Sequence, residues 1–176
     1  MGFMKIYFLE DKNDKLFDEI YTLLEQCDNE FFPPLSCRSS TTQKNLTDIQ
    51  RNSDGIKNYF EQMKSQKILV AVEDEKLIGF VSFRENHITD VISSEDLPNI
   101  YVSTLLVNFD ARGRGFARKM YDYLFDTYKT HNVFTRTWST NFKHIKILEK
   151  FGFETFKTLV DDRGKGIDTV YFKKGK

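Results

Sequence analysis

The feature that most constrains this chain is an abrupt change of pattern across residues 105–117. An apolar run, Leu105-Leu106-Val107, leads into a basic turn with two glycines, and an amphipathic pattern begins directly after the turn. This order predicts a strand, a turn and a helix in close succession. The first N–H groups of a helix lack partners within it and carry partial positive charge, so phosphates bind there. The segment therefore indicates a phosphate-bearing ligand.

The residues of the turn separate it from two common phosphate-binding motifs. A Rossmann dinucleotide site requires Gly-x-Gly-x-x-Gly or Ala, and here Arg118 stands at the third position. A Walker phosphate loop requires Gly-Lys followed by Ser or Thr, which the sequence lacks. An unrelated nucleotide-binding domain stays open as an alternative. The pattern that fits is Arg/Gln-x-x-Gly-x-Gly/Ala, filled by Arg112, Gly113, Arg114, Gly115, Phe116 and Ala117.

That turn resembles motif A of the GNAT superfamily of acyl-CoA-dependent N-acyltransferases, and the preceding Leu105 and Val107 fit the same motif. The resemblance implies that acetyl-CoA is the cosubstrate and that the backbone N–H groups of Arg112 through Ala117 hold its pyrophosphate. It also implies that Leu105 and Val107 bind the pantetheine arm through their backbone, like an added strand. A backbone N–H near Leu106 or Val107 is the oxyanion donor that the resemblance implies.

A second stretch, from Asn141 to Phe153, resembles motif B of the same family. Asn141, Gly152 and Phe153 stand at the matching places, and the resemblance assigns Asn141 to the coenzyme site. The residue types also suit a short helix on physical grounds. Asn141 is a good N-cap, Gly152 suits a left-handed residue after the helix, and Phe153 can then pack on Leu148. Two motifs in the correct order strengthen the family interpretation.

The catalytic positions depart from the family pattern. The Tyr that the family often places seven residues after the motif B Asn, as a thiol proton donor, is Leu148 here. The usual Ala three residues after that Asn is His144, which shares a helix face with Asn141. His144 is a candidate proton donor, with contact to the coenzyme or capping of the helix as the alternatives.

The strand before motif A also lacks the usual carboxylate. Many relatives carry Glu four or two residues before the Leu of Leu-x-Val, and these positions are Tyr101 and Ser103 here. Tyr101 is a candidate acid or anchor for a water molecule, with packing as the alternative. Because both usual groups are missing, a non-catalytic acyl-CoA-binding regulatory or interaction module stays open beside an N-acetyltransferase. In the enzyme, a neutral amine would attack the thioester directly in a ternary complex.

Hydrophobic periodicity predicts one mixed α+β domain over residues 1–176. The order fits the GNAT fold, in which a mostly antiparallel, twisted sheet is flanked by helices and the strands before motifs A and B splay apart around acyl-CoA. Predicted helices cover 14–27, a region from 42 to 66 split at 53–55, 115–128 and the motif B stretch. Predicted strands cover 4–10, 67–73, 76–84, 99–108, 133–140, 154–160 and 169–173.

Composition limits the partners. The formal net charge is zero, so bulk electrostatics favour neither nucleic acid nor an anionic membrane. Cys27 and Cys37 lack a Cys-x-x-Cys spacing or a nearby His, so we expect no metal, and two cysteines suit a reduced, cytoplasmic protein. The expected acceptor is an amine of a small molecule or peptide. The stretch 85–111 holds carboxylates and no Lys or Arg, which favours a cationic amine or is a solvated loop. A homodimer is left open by the resemblance.

Overall fold

A single mixed sheet organises the molecule, whose structure is a computed structural model that describes residues 2–47 and 54–176. Within these ranges, the sheet has the strand order β1-β2-β3-β4-β5-β7-β6, and only β4 and β5 run parallel. The strands are β1 (Met4–Phe8), β2 (Lys67–Glu73), β3 (Lys76–Glu85), β4 (Asn99–Val107), β5 (Asn132–Trp138), β6 (Glu154–Leu159) and β7 (Thr169–Lys174). The α-helices are α1 (Leu16–Cys27), α2 (Lys57–Lys64), α3 (Phe116–Thr127) and α4 (Phe142–Lys150). The predicted mixed fold with a mostly antiparallel sheet is confirmed.

Helices cover both faces of the sheet because each presents an apolar stripe. On one face, α1 and α2 bury residues such as Ile20 and Met63 against Phe80 and Leu106 of the sheet. On the other face, α3 packs Tyr121 against a cluster that includes Leu148 of α4. Burying a large apolar side chain stabilises a fold by about 1.5–3 kcal/mol relative to exposure. The two clusters therefore hold β3 and β4 from both sides.

Glu73, Asp74 and Glu75, which join the predicted strands 67–73 and 76–84, are a hairpin signal in the sequence, and the turn between β2 and β3 is a tight hairpin. Asp74 and Glu75 form a two-residue loop with φ angles of 51° and 65°. Positive φ at both central residues is the conformation whose twist matches the flanking strands. Asp tolerates this region better than most residues do, because its side chain can bond to nearby backbone. Here the Asp74 carboxylate accepts from the N–H of Phe3 at 3.1 Å.

The predicted helical region from 42 to 66 is confirmed in its later piece and wrong in residues 42–47. Helix α2 begins at Lys57, and residues 41–47 form turns and irregular backbone. Asp162 explains this local override, because its side chain accepts from the N–H of Asn45 at 3.0 Å and its carbonyl from the N–H of Leu46 at 2.7 Å. Backbone donors that bind another segment cannot also form a helix. Residues 48–53, which include the first residue of the predicted split at 53–55, lie outside the described ranges. Residues 54–56 form a turn before α2.

The parallel pair β4–β5 opens into a fork. The two strands pair only from Asn99 with Asn132 to Val102 with Thr135. Beyond that point β4 stays paired with β3 as far as Val107, whereas β5 continues on β7 to Trp138. A register shift sets Ser82 against Thr104 and Phe83 against Val102, which leaves Ser103 as the extra residue of a bulge. The splayed strands of the prediction are therefore present, and the bulge lies where they separate.

Candidate active site

The edge of β4 that faces the fork carries free backbone groups. The N–H of Asn108 donates to the carbonyl of Ile78 on β3 at 2.8 Å, and a Cβ built on Gly79 would meet the Leu106 carbonyl at 2.5 Å. The backbone groups of Leu106 therefore face β3. Since successive residues of a strand alternate in direction, those of Leu105 and Val107 face the fork. Of the two oxyanion candidates from the sequence, this geometry favours the N–H of Val107.

The glycine turn joins the end of β4 to the start of α3. Gly113 and Gly115 have φ angles of 77° and 80°, a region that other residues seldom adopt, and Gly115 stands at the N-cap of α3. A Cβ on either glycine would meet no atom within 4 Å, so the turn faces open space. The N–H groups from 113 to 117 have no acceptor within the described chain, whereas that of Arg112 donates to the Phe109 carbonyl at 3.3 Å. Such a row of amides can bind an anion.

The Arg112 side chain points away from this turn and ties it to the end of α1. Its guanidinium binds both carboxylate oxygens of Glu30 at 2.7 and 2.8 Å, and its Nε donates to the Val107 carbonyl at 3.0 Å. Hydrogen bonding to Arg112 lowers the pKa of Glu30. Burial, followed by the neighbouring Glu30, raises the pKa of Cys27 to about 12, so this thiol stays protonated and unreactive at neutral pH.

The other two arginines of the turn also have partners. Arg114 lies 3.0 Å from the carboxylate of Glu73, and Arg118 forms an i,i+4 pair with Asp122 at 2.8 Å. Both pairs are substantially exposed, so each adds about 0–1 kcal/mol to stability. The carboxylates orient these guanidiniums, and the backbone amides of the turn are unpaired donors beside them.

The second motif forms a helix with one cap as predicted and one that differs. At its C-terminus Gly152 has a φ of 88°, and the N–H groups of Gly152 and Phe153 donate to the carbonyls of Glu149 and Leu148, each at 3.0 Å. This is the expected glycine cap. At its N-terminus Asn141 stands at the predicted N-cap position, but its side chain makes no capping hydrogen bond to the helix. The Asn141 amide donates instead to the Thr137 hydroxyl at 2.9 Å, which attaches the helix to β5.

The two candidate catalytic side chains lie on different sides of the fork. His144 of α4 is half-buried, and burial lowers its pKa to about 4, so it is a neutral imidazole at pH 7. Tyr101 of β4 is 2% exposed and packs beside the ring of His87, with ring centroids 4.8 Å apart. Burial raises the pKa of Tyr101 to about 12, so its hydroxyl keeps its proton. Neither pKa lies near neutrality.

The positions that lack the family's usual groups are occupied by buried, inert atoms. Leu148 is fully buried in the cluster under α3. The Ser103 hydroxyl is sealed from solvent and has no hydrogen-bond partner among the residues of known position. The acidic loop is largely paired as well: Asp96 lies 2.8 Å from the Lys173 ammonium, and Asp90 pairs with Lys44. These loop carboxylates are therefore not free to attract a cation.

Three arginines that the sequence did not bring together converge near Tyr101. Arg38 precedes α2, Arg136 lies in β5, and Arg163 lies between β6 and β7. Burial acts on all three guanidiniums, and repulsion by neighbouring arginines acts on Arg38 and Arg163, whereas Tyr101 and Tyr171 raise the pKa of Arg136. The one local signal in the sequence is Arg136, a charge within the buried pattern of a strand.

Metal-binding clusters and membrane-spanning helices are absent from the described part of the chain. No group of three or more His, Cys, Asp or Glu side chains there could hold a metal ion. No helix in residues 2–47 or 54–176 is long and apolar enough to cross a membrane. A cleft of about 260 Å³ lies between α1 and the residues Leu77 and Asn108, and one of about 470 Å³ lies between β1 and the start of α1. The fork and the glycine turn, which carry the unpaired backbone donors, are therefore the candidate site.

Sequence comparison assigns the chain to a family. The profile of the Acetyltransferase (GNAT) family matches residues 17–153. The chain belongs to the GNAT acetyltransferase family, which makes it an acyltransferase by class. No curated protein sequence matches it.

Solved structures share the fold at low identity. Arabidopsis thaliana Naa50 in complex with the bisubstrate analogue CoA-Ac-MVNAL is 16% identical over 98% of this chain and 99% of that chain, with a TM-score of 0.64. An aminoglycoside 6′-N-acetyltransferase complexed with coenzyme A is 14% identical over 97% and 96%, with a TM-score of 0.67. An N-acetyltransferase from Staphylococcus aureus Mu50 is 17% identical over 98% of both chains, with a TM-score of 0.67.

Proposed function

We propose that this protein, acting as a single domain of residues 1–176, transfers an acetyl group from acetyl-CoA to an amine. The observation that carries the proposal is continuity: the free backbone edge of β4 runs directly into the row of unpaired amides before α3. An edge that can bond an extended amide-containing arm, followed by a site for phosphates, matches the chemical order of coenzyme A. The CoA-bound relatives of the same fold support this choice of cosubstrate.

The proposed cosubstrate site uses mainly backbone groups. The amides of Gly113, Arg114, Gly115, Phe116 and Ala117 hold the pyrophosphate, and Arg112 fixes the turn through its side chain. Leu105 and Val107 offer backbone groups to the pantetheine arm, although the Val107 carbonyl already accepts from Arg112. Leu106 fills the core beneath the edge, and Asn141 anchors α4 to β5 on the opposite side of the fork.

Acetyl transfer requires a neutral amine, a donor for the developing oxyanion and protonation of the released thiolate. Acetyl-CoA supplies the activated thioester. The Val107 N–H is the oxyanion donor, while the amine nitrogen forms the new bond to carbon, the bond to sulphur breaks, and the amine proton passes to water. Tyr101, which keeps its proton, is a hydrogen-bond donor on the acceptor side. His144 is neutral at pH 7, which argues against the predicted proton-donor role and leaves contact with the coenzyme or capping of the helix as its proposed role. A thiol pKa of about 8.5 lets solvent protonate the leaving group.

The acceptor is proposed to be an amine of a small molecule or a peptide. Relatives with this fold include an aminoglycoside acetyltransferase and an enzyme bound to a peptide-containing bisubstrate analogue. Cys27 and Cys37 are free thiols, which suits a reducing cytoplasm. The proposed enzyme needs neither a metal nor a nucleic acid or membrane partner, and a homodimer is compatible with it.

A second function is favoured by a specific observation. The absence of carboxylates at Tyr101 and Ser103, together with the buried Leu148, suits a module that binds acyl-CoA without turning it over. Such a module would bind the ligand tightly and release no thiol in the presence of amines. Turnover with any acceptor therefore separates the two functions.

Calorimetric titration with acetyl-CoA, then with CoA, ATP and NAD, tests the cosubstrate. Micromolar binding of acetyl-CoA, worth about −8 kcal/mol, with little binding of ATP or NAD, would support the proposal. Binding of ATP or NAD alone would contradict it. Thiol release measured with polyamines, amino acids, aminoglycosides and peptides then tests the chemistry.

A further inference from the structure

Three buried arginines form a cationic cluster that the acetyl transfer described above does not use. Arg38 and Arg163 are only 6% and 3% exposed, and Arg136 is partly buried. They come from two separate connections and one strand of the fold, so local sequence accounts for none of this convergence. We call Arg38, Arg136 and Arg163 the arginine cluster.

The hydrogen-bond partners of the cluster are neutral oxygens. Arg38 donates Nε and Nη2 to the Pro33 carbonyl at 3.2 and 2.9 Å. Arg136 donates to the Gln43 carbonyl at 2.6 Å and, weakly, to the Tyr171 hydroxyl at 3.4 Å. Each guanidinium has five N–H donors, so several in each remain for a ligand.

Arg163 follows the same pattern at the third corner of the cluster. It donates to the Thr169 hydroxyl at 2.9 Å and to the Phe32 carbonyl at 2.7 Å. No carboxylate of residues 2–47 or 54–176 lies within 4.0 Å of a guanidinium of the cluster. The positive charges are therefore held by dipoles rather than by ion pairs.

The two carboxylates that act electrostatically on the cluster already accept other hydrogen bonds. Asp28 accepts from the N–H and hydroxyl of Ser36, each at 2.7 Å. Asp162 accepts from the Thr169 hydroxyl at 2.5 Å and from the N–H of Asn45 at 3.0 Å. Both soften the positive potential, since Asp28 acts on Arg38 and Asp162 on Arg163.

Gathering three cations in a protein interior is costly. Burial, then repulsion by Arg38 and Arg136, lowers the pKa of Arg163 to about 9. Desolvating a charge without an opposite charge beside it disfavours folding by several kcal/mol. A fold that maintains such a cluster is suited to an anion that would relieve this cost. The nitrogens Nη1 of Arg38, Nε of Arg136 and Nη2 of Arg163 have no hydrogen-bond partner among the described residues and are not among the fully buried unpaired side-chain atoms.

The cluster lies beside the β5 arm of the fork. Arg136 is the first residue of β5 beyond the last pair with β4, which joins Val102 to Thr135. Both Arg136 and Arg163 act electrostatically on the Tyr101 hydroxyl, two residues before the bulge of β4. The Arg163 guanidinium also lies 5.8 Å from the ring of Trp138, which continues the same wall. A group bound to the cluster would therefore sit beside the free edge of β4.

We infer that the acceptor is an amine that also carries an oxyanion, either a carboxylate or a phosphate, bound by Arg38, Arg136 and Arg163. The planar fork of a guanidinium matches two oxygens of either group. The inference rests on the proposed acetyl transfer, because only that reaction makes the bound amine an acceptor. The binding of the oxyanion can be measured independently of the reaction. The sequence left a cationic amine and a solvated acidic loop open, and the pairing of Asp90 and Asp96 with lysines favours the second, while the site beside the fork is positive.

Trp138, the single tryptophan, provides a direct readout of oxyanion binding. Its fluorescence is titrated separately with succinate, which supplies carboxylates, and with inorganic phosphate. Acetate buffers are avoided, and the ionic strength is held constant with sodium perchlorate. We expect a saturable change with one or both anions. The anion that binds more tightly identifies the source, carboxylate or phosphate. No saturable change with either would overturn the inference.

Variants of the cluster make the test specific. Arg136→Gln should raise the Kd of the anion at least tenfold, and Arg136→Lys, which keeps the charge without the fork, should fall between it and the unmodified protein. Lys129→Gln removes an exposed charge at the end of α3 and is the matched control, with an unchanged Kd expected. Should Arg136→Gln fail to fold by circular dichroism, Arg38→Gln replaces it. Equal affinity for the anion in a folded cluster variant and in the control would overturn the inference. The anion would then bind elsewhere, for example at the unpaired amides before α3.

Acceptor kinetics connect the cluster to catalysis. At saturating acetyl-CoA, amino acids and aminoalkyl phosphates are compared with amino-acid amides and plain alkylamines of similar size. A kcat/KM at least tenfold higher for the anionic acceptors, lost in Arg136→Gln, is expected. Turnover of uncharged amines at equal kcat/KM would overturn the inference while leaving acetyl transfer intact. Anion binding at Trp138 without turnover of any amine would instead support the oxyanion site and contradict the proposed enzyme.

Discussion

Arg112 and Glu30 form a two-point ion pair, with nitrogen–oxygen distances of 2.7 and 2.8 Å, across the junction between α1 and the glycine turn. The same guanidinium holds the Val107 carbonyl at 3.0 Å and lies 4.0 Å from the centre of the Phe109 ring. One side chain therefore connects the end of α1, the last residue of β4 and the short 3-10 helix before the turn. The sequence motif concerns the backbone of Arg112. The structure adds that its side chain fixes the turn on the side opposite the unpaired amides.

Replacing Arg112 should cost more stability than replacing a comparable exposed arginine. Arg112→Met removes the ion pair and the bond to the Val107 carbonyl, and we expect a loss of about 1–2 kcal/mol in the free energy of unfolding. Arg118→Met removes only the i,i+4 pair with Asp122 and should cost less than about 0.5 kcal/mol. Urea denaturation of both variants at the same ionic strength gives the comparison. Equal losses would show that the bond to Val107 contributes nothing.

The glycines of the turn should be required for coenzyme binding. Gly115→Val, or Gly113→Val, forces a β-branched residue into positive φ and sets a side chain where phosphate would approach, so affinity for acetyl-CoA should fall by about 30-fold or more. Gly55→Val controls for backbone strain, since Gly55 has a φ of 52° and nothing within 4 Å of a built Cβ. Calorimetry should find normal affinity in the control. Unchanged affinity in a folded Gly115→Val protein would refute the assignment of the pyrophosphate site.

His144 should make the fold sensitive to mild acid. Its pKa is about 4 when folded and about 6.5 when unfolded, so the unfolded chain binds more protons between these values. The stabilisation is complete above about pH 6.5 and is lost as the pH falls toward 4, by about 1–3 kcal/mol for this partly exposed ring. In His144→Gln the loss between pH 7 and 4 should shrink accordingly. His131→Gln serves as the control, and an identical pH dependence in both variants would contradict the burial of His144.

The pH dependence of turnover should follow the substrate rather than the enzyme. Because the pKa values of His144 and Tyr101 are about 4 and about 12, neither group titrates near neutrality. We expect kcat/KM to rise about tenfold per pH unit from pH 6 to 8, until the free amine is deprotonated. His144→Ala should preserve this slope. A plateau near pH 7 that disappears in His144→Ala, with turnover reduced more than affinity for acetyl-CoA, would make His144 a proton-transfer residue instead.

Restoring the family's tyrosine should harm this protein. Leu148 is fully buried in a cluster with Tyr121 and Phe153, so Leu148→Tyr adds volume and a hydroxyl where neither fits. We expect a loss of about 1–3 kcal/mol in unfolding free energy. Leu148→Met, which conserves volume, should cost less than about 1.5 kcal/mol. Thermal unfolding distinguishes the two, and a stable, faster Leu148→Tyr enzyme would show that the core has room for the missing donor.

The elements that sequence predicts well are those fixed by local chemistry. Gly152 can take positive φ where few residues can, so a helix end was predictable there, and the hairpin at Asp74 follows from turn residues between two apolar runs. Residues 42–47 failed because Asn45 and Leu46 bond to Asp162, which is more than a hundred residues away. A helical pattern of residues cannot reveal a competing acceptor in another segment.

The same distinction applies to the candidate site. The glycine turn is contiguous, so its residues could be identified from one motif. The arginine cluster joins positions 38, 136 and 163, whose proximity depends on the path of the whole sheet. Asn141 illustrates an intermediate case, since its place at the start of a helix was predictable but its bond to the Thr137 hydroxyl depends on how α4 meets β5.

The fork also divides the sheet mechanically. Four residue pairs, from Asn99–Asn132 to Val102–Thr135, are the backbone pairing between a half-sheet of β1 to β4 and a half-sheet of β5, β7 and β6. Local opening in proteins follows such units, and a short seam between them has little backbone bonding to resist separation. A ligand seated in the fork would contact both half-sheets at once. Its binding should therefore slow amide hydrogen exchange along β5 as well as along β4. Substrate would then stabilise the contact between the two half-sheets.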